Sequence, residues 1–136
     1  MSTINANVSM IATPMTEALG RYLNVDVARY KLVAGNLANI DTPGYRTRDL
    51  DFRSELTRAA AEQNSFPEGL LQEASFHPVA RQVRGLIERP DGNNVSLERE
   101  SLLLAESQMK FNLGIQLLKE QFHTISLAIN SGGTPS

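Results

Sequence analysis

The residues of this 136-residue chain that could do chemistry are few, and their spacing argues against it. Of its two histidines, His77 stands beside Pro78, and His123 sits in a long apolar-periodic run with no second ligand at helical spacing. A metal ion needs three or four ligands converging in a fixed geometry, which neither position offers, so no metal site is expected. Asp49, Asp51 and Glu55 have the right types for paired-carboxylate acid-base work. They alternate with Arg46, Arg48, Arg53 and Arg58, however, and ion pairing on a solvated face explains that pattern more simply. The adjacent glycines Gly132 and Gly133 follow a helical stretch instead of opening one, the wrong side for a phosphate cradle. The chain has no cysteine, which removes disulfides, thiolate nucleophiles and sulfur-ligated metals. Neither a cofactor nor a catalytic activity is expected.

Charge narrows the partners further. Thirteen basic and fifteen acidic residues leave a net charge of −2, so nothing draws the chain to nucleic acid or to an anionic membrane. The arginines between residues 46 and 58 are interleaved with acids that would repel phosphate at the same range. No apolar run approaches the ~18 residues that a membrane span needs, so a soluble chain without membrane insertion is expected. The start, MSTINANVSMIATPM, has no basic residue before Arg21 and no apolar core of signal-peptide length. A cleaved secretory signal is therefore not expected, and any exit from the cytoplasm would follow a route that leaves the chain uncut.

The elements that must position these residues are mostly helical. Thr13-Pro14 reads as a helix start, with threonine as cap, proline in the first turn and Glu17 at the positive end of the dipole. Apolar residues then recur in threes and fours to Ile40: one stripe is Leu19, Leu23, Val27, Tyr30, Ala34 and Leu37, and a second is Met15, Tyr22, Val25, Leu32 and Ile40. The last third repeats the pattern from Ser96 to about residue 130. Its main stripe is Leu104, Phe111, Ile115, Leu118, Phe122, Ile125 and Ile129, and a second face carries Leu102, Ala105, Met109, Leu113 and Leu117. A pair of helices can bury one stripe of each, which leaves the others as apolar ribbons for neighbouring molecules. Between the helices the sequence is charged and broken by Pro67, Pro78, Pro90 and Asp91-Gly92. DFRSELTRAAAEQN suits a short helix, and Val79 to Ile87 a short strand.

The expectation is a mainly α fold in which long N- and C-terminal helices pack as a coiled-coil-like pair, with a short irregular middle holding a small helix or short strands. Residues 1–136 would form one domain, with a helix at 14–40, a turn and variable arm at 41–95, and a second helix at 96–130.

One stretch is odd for a helix end. NLANIDTPGYR places Asn36 and Asn39 in a run of apolar and small residues, then stops it with Thr42-Pro43-Gly44. Pro43 pushes Thr42 out of helical geometry, and Pro-Gly at the centre of a turn predicts type II with a positive φ at Gly44. Short polar side chains here can bond nearby backbone groups and close the helix.

The segment ANIDTPGY behind a long N-terminal helix resembles the signature of the bacterial flagellar rod and hook proteins, matched at Ala38, Asn39, Thr42, Pro43, Gly44 and Tyr45. RTRDLDF after it, and DGNNVSLERE with LAESQMKFNLGIQLLKEQF near the end, resemble the proximal-rod members of that family. The neighbouring rod protein FlgC shares the first signature, but where this chain has SQMKFNLGI its members carry an alanine- and tyrosine-rich stretch. The resemblance implies a structural subunit, exported without cleavage by the flagellar type III apparatus and assembled in the periplasm into the rod that transmits torque from the MS-ring to the hook. Implied partners are further rod subunits including FlgC, the adaptor FliE, the MS-ring protein and other copies of the chain. Without the resemblance, composition equally allows a cytoplasmic helical adaptor or chaperone that binds a client through the same ribbons. Ribbons reserved for neighbours leave a lone chain short of core, so ends that are partly disordered until assembly are expected.

Overall fold

The computed structural model describes residues 13–64 and 77–132. Helix α1 spans Pro14–Ala38, strand β1 Arg48–Asp49, helix α2 Phe52–Asn64, strand β2 Arg81–Gln82 and helix α3 Leu97–Gly132. The fold is mainly α, with two long terminal helices packed together and a short middle of one small helix and two short strands. The expected order–disorder behaviour of the chain ends falls on residues 1–12 and 133–136, outside the described residues, as do Pro67 and Gly133.

Each helix begins where local chemistry says it should. The Thr13 hydroxyl accepts from the Thr16 N–H at 3.2 Å, Pro14 occupies the first turn, and Glu17 faces the free amides. Asp51 caps α2 by accepting from the Ser54 N–H at 2.8 Å, and Ser96 caps α3 through the Arg99 N–H at 3.3 Å. At 1.5 Å per residue, α1 is about 37 Å long and α3 about 54 Å.

The two long helices run antiparallel: Asn36 meets Glu100, Asp26 meets Ser107, and Leu23 meets Gly114, so numbers fall on one as they rise on the other. On α1 the seam follows Leu19, Tyr22, Asp26, Arg29, Val33 and Asn36, a three-four alternation one residue round from the stripe that begins Leu19, Leu23, Val27. The reason is visible in the partners: Asp26 and Asn36 are buried because α3 offers a hydroxyl and a carboxylate opposite them. Apolar periodicity alone cannot detect such pairing. Gly114 permits a close approach, since a Cβ there would lie 2.7 Å from Leu23 Cδ2.

The middle packs on α1. The Tyr22 ring meets Phe52 of α2 edge-on, with centroids 5.4 Å apart, and the Lys110 ammonium of α3 sits 4.0 Å from the Phe52 centroid. Strands β1 and β2 pair antiparallel, Arg48 with Gln82 and Asp49 with Arg81. This small sheet lies beside α1 and holds the chain that follows the signature turn against the helix pair.

Candidate functional site

The residues that looked misplaced in the helix end build the centre of the structure. Asn36 is 1% exposed, and all four hydrogen-bonding positions of its amide are used. Its Nδ2 donates to the Arg48 carbonyl at 2.8 Å and to Glu100 Oε2 at 3.0 Å. Its Oδ1 accepts from the Tyr45 hydroxyl and from the Arg48 N–H, both at 3.1 Å. An amide that both donates and accepts is needed here, because a carboxylate would repel Glu100 and an apolar side chain would strand four partners.

Glu100, with no exposed surface, also accepts from Arg99 Nη1 at 2.6 Å. The same Arg99 reaches Asp49 at 2.7 Å, and Arg29 grips Asp49 with two bonds of 3.1 Å. A chain of charge thus runs Arg29, Asp49, Arg99, Glu100, Asn36 and joins α1, β1 and α3. Burial alone would push the Asp49 carboxyl up, but the two guanidiniums outweigh it and hold the group below the usual carboxylate range. Further along the seam, burial pushes the Asp26 carboxyl up, although the Ser107 hydroxyl donates to it at 2.9 Å.

The signature turn follows from the same residues. Asn39 ends α1: its side-chain amide donates back to the Gly35 carbonyl at 2.8 Å, and its Oδ1 accepts from the Thr42 hydroxyl at 3.1 Å. The Tyr45 N–H closes the turn on the Thr42 carbonyl at 3.2 Å, and Gly44 has φ 72, the type II geometry expected for Thr42-Pro43-Gly44-Tyr45. Ala38, Thr42, Pro43 and Gly44 are exposed, Asn39 and Tyr45 partly so.

A second turn, Asp91-Gly92-Asn93-Asn94, locks onto the first. The Gly44 N–H donates to the Asp91 carbonyl at 2.8 Å, and a Cβ on Gly92 would stand 3.3 Å from Gly44 Cα. Asn93, wholly buried, donates to the Asn39 and Thr42 carbonyls at 2.9 Å each and accepts from the Val95 N–H at 2.8 Å. Asn94 accepts from the Thr47 N–H at 2.7 Å. Sequence reasoning took Asp91-Gly92 as a turn and gave the two asparagines after it no part in the site. The available signal was their amide chemistry directly before a helix cap, where backbone groups need partners.

The residues expected to serve helix packing or assembly divide by exposure. Leu19 is buried, and Leu23, Leu37, Leu104, Ile115, Leu118 and Ile125 are half-buried along the pair. Val27, Tyr30, Phe111 and Phe122 are exposed. The exposed apolar surface of α3 continues through Leu102, Met109, Leu113, Leu117, Leu127 and Ile129, with Met109 74% exposed. The three carboxylates of the acid-base reading line one groove, but each is engaged: Asp49 is held by arginines, Asp51 is a helix cap, and Glu55 pairs with Arg58. His123 is exposed, and His77 is exposed with its carbonyl accepting from Arg58.

This arrangement is structural chemistry, a turn and a polar seam fastening two rods. Over 122 residues the chain is 31% identical to the flagellar basal body rod protein FlgB of Salmonella typhimurium, covering 81% of this chain and 88% of that one. The chain belongs to the FlgB family of flagellar basal-body rod proteins. It is 30% identical to FlgB of Escherichia coli over 122 residues, again 81% of this chain and 88% of the relative. FlgB of Borrelia hermsii is 29% identical over 80% of this chain and 90% of its own. No family model matches the chain. As a FlgB-family protein it is a structural subunit of the flagellar basal-body rod. Among the described residues no helix is long and apolar enough to cross a membrane.

Proposed function

We propose that this FlgB-family chain polymerises through its two terminal helices, as one rod-subunit domain, into the proximal rod that carries torque from the MS-ring toward the hook. The observation that carries this reading is the continuous apolar ribbon of α3, from Leu102 through Met109, Leu113 and Leu117, left in water while a polar seam holds the pair together. Burying such a side chain fully is worth about 1.5–3 kcal/mol, so neighbours that cover several of them gain a strong contact. The work is mechanical and not catalytic. Long helices fastened at Asn36 and Gly114 resist sliding, and the turn at Thr42 to Tyr45 sets where the chain leaves the packed layer.

The same reading takes the chain through the flagellar type III export apparatus uncleaved and into the periplasm, where it meets FlgC and further rod subunits, the adaptor FliE and the MS-ring protein. Its partners are proteins, without nucleic acid, cofactor or inserted membrane segment. Electron microscopy of basal bodies from a strain lacking the gene, with a swimming assay, tests it. A non-motile strain that keeps its membrane ring but has no rod or hook, repaired by the gene, is the expected outcome. Normal basal bodies and swimming in the deletion would instead favour a cytoplasmic adaptor.

A further inference from the structure

The seam divides the helix pair into two sides. Tyr22 and Arg29 of α1, with Lys110 and Arg99 of α3, reach Phe52 and Asp49, so α2 and the small sheet lie on one side. One residue further along a helix lies about 100° further round it, and because the helices run antiparallel this step carries both toward the opposite side. Leu23 follows Tyr22, Tyr30 follows Arg29, and Phe111 follows Lys110. Together with Val27, Ile115 and Phe122 they line a shallow apolar groove between the helices, on the side away from α2. Val27, Tyr30, Phe111 and Phe122 are between 37% and 44% exposed there.

The ribbon through Leu102, Met109 and Leu113 is a different surface. Met109 stands two residues past Ser107, which faces Asp26 across the seam, and so points from the far side of α3. The margins of the two surfaces differ in sign. Lys31, directly after Tyr30, and Lys119, directly after Leu118, stand on the rims of the groove, whereas Glu98 and Glu120 border the ribbon. All four are exposed, and among the described residues none of them takes part in an ion pair. Groove against groove would set lysine against lysine, and ribbon against ribbon glutamate against glutamate. Groove against ribbon brings opposite charges together.

We infer that the α3 ribbon of one copy lies in the interhelix groove of a second copy, as a third helix laid against two. Pairing one surface with itself about a twofold axis stops at a dimer, whereas two different surfaces of one chain make a head-to-tail contact that continues into an array unless the rotation closes it. The inference rests on the proposed polymerising rod subunit and names the surface that receives its exposed ribbon.

The chain contains no cysteine, which makes crosslinking clean. Two differently tagged single-cysteine forms, V27C in the groove and M109C on the ribbon, are produced together in a strain lacking the native gene, and purified basal bodies are treated with a short bismaleimide. The expected product is a crosslinked dimer carrying both tags, absent when both tagged chains carry V27C or both carry M109C. Basal bodies that contain both chains and yield no mixed dimer overturn the inference, as do groove-to-groove or ribbon-to-ribbon dimers and M109C chains joined to a different rod protein. As an independent check, the double variant K31E/K119E, at two exposed sites, should keep the native helicity and melting temperature and give at least tenfold fewer rods. Rods in normal number would overturn the contact. If the unmodified chain is absent from purified basal bodies, the rod reading itself fails, an outcome distinct from a missing crosslink.

Discussion

Asn36 and Glu100, sixty-four residues apart in sequence, meet at 3.0 Å across the antiparallel helix pair, an amide donating to a carboxylate with no exposed surface. Because the Tyr45 hydroxyl and the Arg48 backbone are bonded to the same amide, one side chain ties the helix pair, the signature turn and the first strand together.

Asn36→Leu removes four hydrogen bonds and leaves buried partners behind, which should cost about 2–4 kcal/mol. Asn36→Asp should also destabilise at neutral pH, because it sets a second carboxylate against Glu100, and part of that loss should return in acid. Urea unfolding followed by circular dichroism measures both; a leucine variant as stable as the parent would mean the network contributes nothing.

Gly114 sets the spacing of the pair. In Gly114→Ala the new methyl meets the end of Leu23, which can turn away, while the helix gains about 1 kcal/mol of propensity over glycine, so the net change should be small. Gly114→Leu has no such escape, with Tyr22 Cδ1 also within 3.3 Å of the Cβ position, and should destabilise by about 1–3 kcal/mol. Thermal melts of the two variants side by side decide it, and equal stability would show that the helices are not in close contact there.

Asp49 and Asp26 should pull the pH dependence in opposite directions. Asp49 titrates below its unfolded value of about 3.9, so its contribution is complete above that value and is lost as the pH falls through its folded value. Asp26 titrates above the ordinary value, so the folded state takes up its proton first and stability rises as the pH falls through that upper window. Asp49→Asn should therefore lower stability at pH 7 and flatten the acid-side loss. Asp26→Asn should raise or preserve stability at pH 7 and remove the gain on mild acidification. Urea midpoints at pH 7, 5 and 3 for the three chains give the answer, and parallel curves would refute both assignments.

Buried and exposed polar contacts in the paired turns should differ in worth. Asn93→Ala removes one of two partners from each of the Asn39 and Thr42 carbonyls and strands the Val95 N–H, a loss of about 2–3 kcal/mol. Arg46→Ala breaks only an exposed pair with Glu88 and should cost less than about 1 kcal/mol. Comparable losses in chemical denaturation would contradict this ranking.

Along α3, Met109→Glu and Leu113→Glu change exposed side chains and should move folding stability by no more than about 0.5 kcal/mol. Swimming and rod formation should nevertheless be abolished. Motile cells carrying both changes would remove this ribbon from the assembly surface.

Some of this was legible before any coordinates. Thr13, Pro14 and Ser96 mark helix starts through chemistry that acts within a turn of itself, and Pro43-Gly44 specifies its own turn for the same reason. The α3 ribbon through Met109 and Leu113 was readable as surplus apolar surface. The seam was not. Asp26, Arg29 and Asn36 look like surface residues in a helical pattern, and only the presence of Ser107, Asp49 and Glu100 opposite makes their burial tolerable. Asn93 escaped notice likewise, since its partners lie more than fifty residues away.

What the sequence by itself determined is what short-range forces decide: two long amphipathic helices, their caps, the turn after Asn39, and a family signature carried by contiguous residues. Only the tertiary structure decided which face of each helix turns inward. Apolar burial is nondirectional and would accept several neighbouring registers at similar energy, whereas Asn36 with Glu100, Asp26 with Ser107 and Gly114 beneath Leu23 are satisfied together in one alone.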